Sequence, residues 1–437
     1  MFAYHVRLAW LSFLKTPVLS FLIVSAIGLG IGVCISILTV YALMINDPIP
    51  AHSSNIFTYK LNNQRELIDG RTASPASPLV GYRDAVNIME SEIPANHSVH
   101  YPTTAVYYPE VDGQSPLRAE LRLASSGFFA VHKLPFIFGN AWTPAEEESR
   151  LYQTVLTKEL NEQVFDGKNS IGEELKIGSN LYKVVGVLDS FKPMPFYFEV
   201  DGGAFSELEG AIIPFSLTPE LGLRKRGGSV WCNEDPAEDT WLSFLEAECN
   251  WIHHWVEIQD QNNVNEFHQF LNNYSLEQRN YGRFMGPYEH EIHNVMSWLE
   301  DREVVNKDYE ILLSISFLFL VVCLLNCIGL LLAKFLGKSN EMSLRRAVGA
   351  SRKMIFRQHL VEISLIGFLG GILGLVISLA GLMGIRMIYS NYESLTHLNL
   401  DLVLLALALA IASTMLAGII PAWRVCRLPV SQFLKSQ

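Results

Sequence analysis

Residues 311–333 read ILLSISFLFLVVCLLNCIGLLLA, a run of 23 positions without a charged side chain. Three further uncharged runs lie at residues 17–46, 363–385 and 402–423. A helix rises about 1.5 Å per residue, so 23 residues reach roughly 34 Å, which is enough to cross a hydrocarbon core of about 30 Å. The first run is too long for the apolar region of a signal peptide, which has about 7 to 15 residues. The sequence therefore predicts four transmembrane helices.

The charged residues of the 437-residue chain are unevenly distributed. Residues 45–308 contain 39 acidic and 20 basic side chains, whereas the rest of the chain contains 5 acidic and 13 basic ones. The chain thus consists of an acidic globular block between basic membrane segments. The basic side chains lie beside apolar runs and form no patch interleaved with aromatic residues, which argues against nucleic-acid binding.

The basic side chains also predict the orientation of the helices. Arg7 and Lys15 precede the first run, and the loop at 334–358 has seven basic residues against one acid, Glu341. The tail at 424–437 has three basic residues and no acid. By the positive-inside rule these three segments are cytoplasmic, and the acidic block lies outside. Residues 390–401, which contain no Lys or Arg, are expected to form a short outer loop.

The acidic block has the pattern of a mixed α/β domain. Strand-like runs lie at 98–108, 117–123, 174–177, 182–188 and 255–258, and Gly178 marks a hairpin turn. Thr143, Pro144 and Glu146 form a capping-box start to a short helix, and residues 263–274 have helical spacing.

The expected fold is therefore an α-helical membrane protein with four transmembrane helices. A large mixed α/β extracytoplasmic domain is inserted between helices 1 and 2. The predicted domains are residues 1–46, with the first helix, residues 47–308, outside the membrane, and residues 309–437, with helices 2–4.

Catalytic motifs are incomplete in this sequence. His290-Glu291-Ile292-His293 lacks the histidine spacing of zinc proteases, because a helix needs the second histidine at position 294, which is Asn294. Gly337-Lys338-Ser339 resembles the end of a phosphate-binding loop, but the position of that loop's first glycine holds Leu332. We therefore predict no catalytic, cofactor-binding or metal-binding residues, and we expect that the chain is not an enzyme.

Two of the six cysteines, Cys232 and Cys249, fall in the acidic block, where an oxidising compartment allows disulfides. A bond between them would stabilise the fold by roughly 3 kcal/mol in the chain-entropy model. The alternatives are a zinc site that also uses His253 and His254, and two free thiols.

Glycines are dense in the first and third membrane helices. Small residues four apart let two helices approach closely. The candidates for this role are Gly28, Gly32, Gly367, Gly370, Gly371 and Gly374. They serve either packing within one chain or a seam between two chains of a dimer.

Two cytoplasmic segments resemble a known permease family. The loop reads EMSLRRAVGASRKMI at 341–355, and the tail reads PAWRVCRLPVSQFL at 421–434. Both are similar to the family that includes the MacB-type exporters, the lipoprotein-release permeases and FtsX. In the acidic block, SSGFF at 125–129, FGNAWT at 138–143 and YKVVGVL at 182–188 resemble that family's periplasmic core domain.

The resemblance implies the permease subunit of an ABC transporter in the bacterial inner membrane. Such a subunit couples ATP hydrolysis to movement of a periplasmic domain for export or extraction of a substrate. No segment resembles the fused nucleotide-binding domain of MacB-type exporters, so we expect a separate cytosolic ATPase that binds ATP and magnesium, and no cofactor on this chain. The alternative is an FtsX-like mechanotransmitter that regulates a periplasmic hydrolase.

The resemblance also assigns partners and coupling residues. The expected partners are the ATPase, membrane lipids and a second permease in a homo- or heterodimer, with a periplasmic adaptor as a further candidate. The expected ATPase-coupling residues are Glu341, Leu344, Arg345, Arg346, Val348, Gly349, Ala350, Ser351 and Arg352. Arg345 and Arg346 are the expected docking contacts, because guanidinium groups suit carboxylates on a partner.

One tract of the acidic block matches no pattern of that family. Residues 223–255 contain four tryptophans. We expect this tract to hold a substrate-specific feature.

Overall fold

The computed structural model describes residues 2–61, 63, 77–91, 96–108, 117–200, 205–227, 230–285, 290–304, 307–388 and 400–427. The chain divides into two compact units. The globular unit comprises residues 46–304, and the membrane unit comprises residues 1–45 and 305–437. Most of the outer loop predicted at 390–401 and the tail beyond residue 427 lie outside the described residues.

Helices and strands are numbered along the chain. The helices of the described residues are α1 (Phe2–Lys15), α2 (Pro17–Ile45), α3 (Tyr82–Met89), α4 (Gly127–Val131), α5 (Pro144–Glu148), α6 (Lys158–Phe165), α7 (Thr218–Leu221), α8 (Trp241–Glu246), α9 (Gln261–Asn280), α10 (Val295–Asp301), α11 (Lys307–Leu336), α12 (Ser339–Ala347), α13 (Arg352–Ile388) and α14 (Leu400–Cys426). The strands are β1 (Ile56–Lys60), β2 (Asn96–Tyr108), β3 (Leu117–Ala124), β4 (Phe136–Gly139), β5 (Gln153–Leu156), β6 (Glu174–Ile177), β7 (Asn180–Leu188), β8 (Ala211–Pro214), β9 (Trp231–Cys232), β10 (Cys249–Asn250), β11 (His253–Glu257) and β12 (Glu291–Asn294).

Four helices of the membrane unit are long and apolar enough to cross a membrane. These spans are Pro17–Ile45, Asp308–Leu336, Arg352–Ile385 and Val403–Cys426. They confirm the four predicted transmembrane helices. Two of them continue beyond their uncharged runs, since α11 also contains Lys334 and α13 also contains Glu362. The separate helix α1 was not predicted, and one residue, Thr16, separates it from α2.

The six glycines proposed for helix packing lie against other helices of the same chain. Gly28, Gly32, Gly370 and Gly374 face the contact between α2 and α13, and Gly367 and Gly371 face α14. A Cβ added to Gly374 would lie 2.9 Å from the Ile31 side chain, which is closer than real Cβ contacts come. The structure thus uses these glycines for packing within one chain.

A ten-stranded sheet organises the globular unit. Its order is β12-β1-β11-β2-β3-β8-β5-β7-β4, and β6 pairs with both β2 and β7. The pairs β3/β8 and β5/β7 are parallel, and the other pairs are antiparallel. Large aromatic side chains, among them Tyr101, Trp251 and Phe267, are buried in the core on this sheet.

The local patterns of the acidic block predicted these elements well. The runs at 98–108, 117–123, 174–177 and 182–188 are β2, β3, β6 and β7, and Gly178 has a φ of +62° in the hairpin between the last two. Thr143 and Glu146 form the predicted capping box before α5. The runs at 255–258 and 263–274 correspond to β11 and to a longer helix, α9. The His290–His293 segment lies at strand β12 and not on a helix.

Candidate functional site

Helix α12 joins the membrane helices α11 and α13 and contains the first part of the expected coupling segment. It ends at Ala347, and Gly349 follows with a φ of +106°, a conformation that glycine adopts without steric cost. The backbone N–H of Met354 donates to the Ser351 hydroxyl at 3.3 Å, which caps the first turn of α13. α12 is therefore a short helix set off by a glycine turn on one side and a capped helix start on the other.

The structure brings the nine expected coupling residues together. Four of them lie in α12, four follow in the turn at 348–351, and Arg352 begins α13. Leu344 is 61% exposed and Val348 is 83% exposed. Val348 directly follows the last turn of α12, and its backbone N–H donates to the Leu344 carbonyl at 3.1 Å, so these two side chains form an exposed apolar patch at the end of the helix.

Arg345 is already engaged within the chain. Its Nη2 lies 2.6 Å from Glu341 Oε1, and its Nη1 donates to Gln358 Oε1 on α13 at 3.1 Å. Lys15 Nζ lies 3.8 Å from the other oxygen of Glu341. Arg345 therefore holds α12 against α13, and the expected docking role of Arg345 and Arg346 stays a prediction.

A buried ion-pair network lies beside α12. Lys334 Nζ lies 3.0 Å from Glu362 Oε1 and donates to the Ser20 hydroxyl at 2.9 Å. Lys338 Nζ lies 3.5 Å from the same carboxylate oxygen, and Ser12 on α1 also donates to it. Burial lowers the pKa of Lys338 from its ordinary value, and the Glu362 carboxylate partly offsets this. The network therefore joins α1, α2, α11 and α13 near α12.

Sequence reasoning missed this network. It counted Lys334 and Lys338 as charges of a cytoplasmic loop and did not single out Glu362. The available signal was that Glu362 directly precedes the uncharged run at 363–385. A carboxylate at the edge of a membrane helix needs a cation as a partner.

The two cysteines of the globular unit face each other in the antiparallel pair β9/β10. The structure joins Cys232 and Cys249 in a disulfide. His254 Nδ1 instead lies 2.7 Å from the Tyr59 hydroxyl, and the His253 ring stacks on His100. The alternative zinc site is therefore not assembled among these residues.

One group among the described residues has the spacing of metal ligands. Ligand atoms of Glu291, His293 and Asp301 lie within 4.8 Å of one another. Lys60 Nζ lies 2.9 Å from Glu291 and 2.6 Å from Asp301. The ammonium group already pairs with both carboxylates, so an ion-pair cluster explains this arrangement.

The tryptophan-rich tract contributes mainly to the core of the globular unit. Trp251 and Trp255 are buried, and Trp241 Nε1 donates to the Thr218 carbonyl at 2.9 Å. Trp231 is partly exposed. The structure gives these aromatic side chains a packing role, and the expected substrate-specific feature stays a prediction.

Arg122 is the centre of a buried polar cluster in the globular unit. Its guanidinium group lies 2.6 Å from Glu209, 2.6 Å from Glu199 and 2.6 Å from His100 Nδ1. Because an arginine can only donate, His100 accepts at Nδ1 and is not protonated there. Burial, and next the charge of Arg122, hold the pKa of His100 well below its ordinary value.

Three further buried histidines also have a pKa well below the ordinary value. Burial is the main cause that lowers the pKa of each well below its ordinary value. They are His132, His253 and His254. The globular unit therefore folds with at least four neutral imidazoles in its interior.

Comparisons with known proteins match both units. The family model of the MacB-like periplasmic core domain matches residues 20–240, and that of the FtsX-like permease C-terminal domain matches residues 313–430. The macrolide export ATP-binding/permease protein MacB of Marinobacter nauticus is 23% identical over 337 residues, which cover 75% of this chain and 46% of that protein. The pyoverdine export ATP-binding/permease protein PvdT of Pseudomonas entomophila is 23% identical over 314 residues, which cover 71% and 42%. The chain thus spans less than half the length of these curated relatives.

Solved structures of related domains also match. The periplasmic region of MacB from Actinobacillus actinomycetemcomitans has a TM-score of 0.37 and 15% identity, over 59% of this chain and 96% of that one. The extracellular domain of the noncanonic ABC-type transporter YknZ has a TM-score of 0.34 and 14% identity, over 55% of this chain and all of that one.

Proposed function

This chain belongs to the ABC transporter permease family that combines a MacB-like periplasmic core domain with an FtsX-like permease domain, and we propose that it is a membrane subunit driven by a cytosolic ATPase. In this proposal the ATPase is a partner protein that docks on α12. The substrate is exported or extracted on the side of the globular unit. The relatives MacB and PvdT are named for the export of macrolides and of pyoverdine, which supports export as the task.

The exposed patch of Leu344 and Val348 at the end of α12 carries the proposal. Burial of exposed apolar side chains against a partner favours association. α12 is continuous in sequence with α11 and α13, which have 30 and 37 residues and reach roughly 45 and 55 Å at about 1.5 Å per residue. A displacement of α12 by the ATPase would therefore move two long helices together, since Lys334 and Glu362 pair them near this end.

A docking variant tests the proposal directly. Replacing both Leu344 and Val348 with Asp should weaken the complex with the ATPase at least tenfold, because each exposed apolar contact becomes a charge that must be desolvated. The measurement reconstitutes the permease with its ATPase in lipid and compares complex recovery and ATP turnover.

The matched control is Arg424→Asp, which places the same new carboxylate on an exposed position of α14. It should bind the ATPase like the wild type. If the double variant inserts normally and still binds and works at wild-type rates, the docking surface lies elsewhere. Substitution of Arg345 is a poorer test, since it would also break the contacts with Glu341 and Gln358.

The proposed orientation places α12 in the cytoplasm and the globular unit outside. Single cysteines are introduced as Lys168→Cys, on the exposed surface of the globular unit, and as Ser351→Cys, beside α12. The background lacks the four free thiols, Cys34, Cys323, Cys327 and Cys426. In intact spheroplasts a membrane-impermeant maleimide should label only Lys168→Cys, and it should label Ser351→Cys after the membrane is opened. If only Ser351→Cys were labelled in intact spheroplasts, the chain would have the opposite orientation to the one proposed.

A further inference from the structure

A cavity of about 260 Å³ lies in the membrane unit between α1, α12 and α13. Its apolar lining includes Leu8, Leu11 and Leu14 of α1. Its charged lining includes Lys15 at the end of α1 and Arg345 of α12. The cavity therefore combines an apolar wall with cationic side chains.

The first carboxylate of this cavity is shared by two cations. Glu341 lies 2.6 Å from Arg345 and 3.8 Å from Lys15. Lys15 is 67% exposed, so its side chain can move toward another anion. One positive charge at this end of the cavity is thus not balanced by Glu341.

The second carboxylate is shared in the same way. Glu362 lies 3.0 Å from Lys334 and 3.5 Å from Lys338, and both Glu362 and Lys338 line the cavity. Three cations, Lys15, Lys338 and Arg345, and two carboxylates line the cavity, so its lining has a formal surplus of one positive charge. Such a surplus in a partly buried site attracts an anion.

The position of α1 places this cavity at the membrane surface. One residue, Thr16, separates helix α1 from the membrane span Pro17–Ile45. Trp10, Leu11 and Leu14 of α1 are about half exposed, and the last two also line the cavity. Tryptophan and leucine on an interfacial helix lie at the boundary between headgroups and acyl chains. The cavity therefore opens where a lipid headgroup would be.

We propose that this cavity binds the headgroup phosphate of an anionic phospholipid. The phosphate would lie among Lys15, Lys338 and Arg345, and an acyl chain would follow Leu11 and Leu14. The apolar wall favours a lipid over a free phosphate ion, which gains nothing from it. This lipid site goes beyond the proposed function. It does not require one orientation of the chain, because the cavity lies beside an end of α2, and that end is at a membrane surface in either orientation.

Native mass spectrometry of the full chain in detergent tests the proposal. The purified protein is titrated with phosphatidylglycerol or with phosphatidylcholine of the same acyl chains. Phosphatidylglycerol should bind at least tenfold more tightly. Lys15→Gln should weaken its binding about fivefold, the share expected for one basic side chain near a lipid surface. Because Lys15 is exposed, this variant should keep the circular dichroism and gel-filtration profile of the wild type.

Arg7→Gln is the matched control, since Arg7 is an exposed cation of α1 that does not line the cavity. It should change binding less than twofold. Equal affinity for both lipids, or an equal loss in both variants, would overturn the proposal in favour of general surface attraction. A large excess of inorganic phosphate should leave the bound phosphatidylglycerol in place. If phosphate displaces it, the cavity is a small-anion site and the lipid assignment is wrong.

Discussion

Glu362→Gln should lower the free energy of unfolding by about 3–5 kcal/mol, the usual cost of removing one partner of a buried ion pair. Lys334 has no exposed side-chain surface and Glu362 has 3%. Without the carboxylate, the Lys334 ammonium group still donates to the Ser20 hydroxyl. None of its partners described above would then carry a negative charge. The free energy is measured by titration of the full chain with sodium dodecyl sulfate in mixed micelles.

Glu341→Gln is the matched control for this prediction. Glu341 also pairs with two cations, but its side chain is 44% exposed and its loss should cost less than about 1 kcal/mol. The paired variant Lys334→Met with Glu362→Met should recover part of the stability, since it removes two buried charges but leaves Lys338 without the carboxylate. If Glu362→Gln loses no more than Glu341→Gln, the network does not stabilise the membrane unit.

The globular unit should lose stability steeply as the pH falls below about 6.5, the pKa of an unfolded histidine. In the folded state burial keeps four histidines neutral, so the unfolded chain binds more protons in this range. Their contribution is fully present above that pH and is lost below it. The free energy of unfolding falls by about 1.4 kcal/mol per pH unit for each histidine, and by at most about 5 kcal/mol per pH unit for all four. Buried carboxyls with a raised pKa, such as Asp84 and Glu199, reduce this loss at lower pH.

Urea unfolding of the full chain at several pH values measures this slope. Tryptophan fluorescence reports mainly on the globular unit, which holds six of the eight tryptophans. His254→Asn should reduce the slope by about 1.4 kcal/mol per pH unit, the share of one proton. Tyr59→Phe removes a hydrogen bond of His254 but keeps its imidazole, so it should lower stability without changing the slope. A wild-type slope near zero between pH 6.5 and 5.5 would contradict the prediction.

The sequence by itself determined the features that depend on neighbouring residues. Four uncharged runs predicted the membrane helices, because crossing a lipid bilayer requires only one continuous apolar segment. The strands β2, β3, β6 and β7, the turn at Gly178 and the capping box at Thr143 were likewise predicted, since alternation, φ preference and capping act over a few residues. The loop with α12 was found from its resemblance to a permease family.

Only the tertiary structure decided which distant side chains meet. Lys334 and Glu362 come from separate helices, and the position of Glu362 before an uncharged run indicates the need for a cation but not which one it meets. The same holds for Arg345, whose contacts with Glu341 and Gln358 hold α12 against α13. His100 and His253 are neutral because β2 and β11 pair in one sheet and bury both. Partners and burial depend on contacts across the fold, and a local pattern of residues does not encode them.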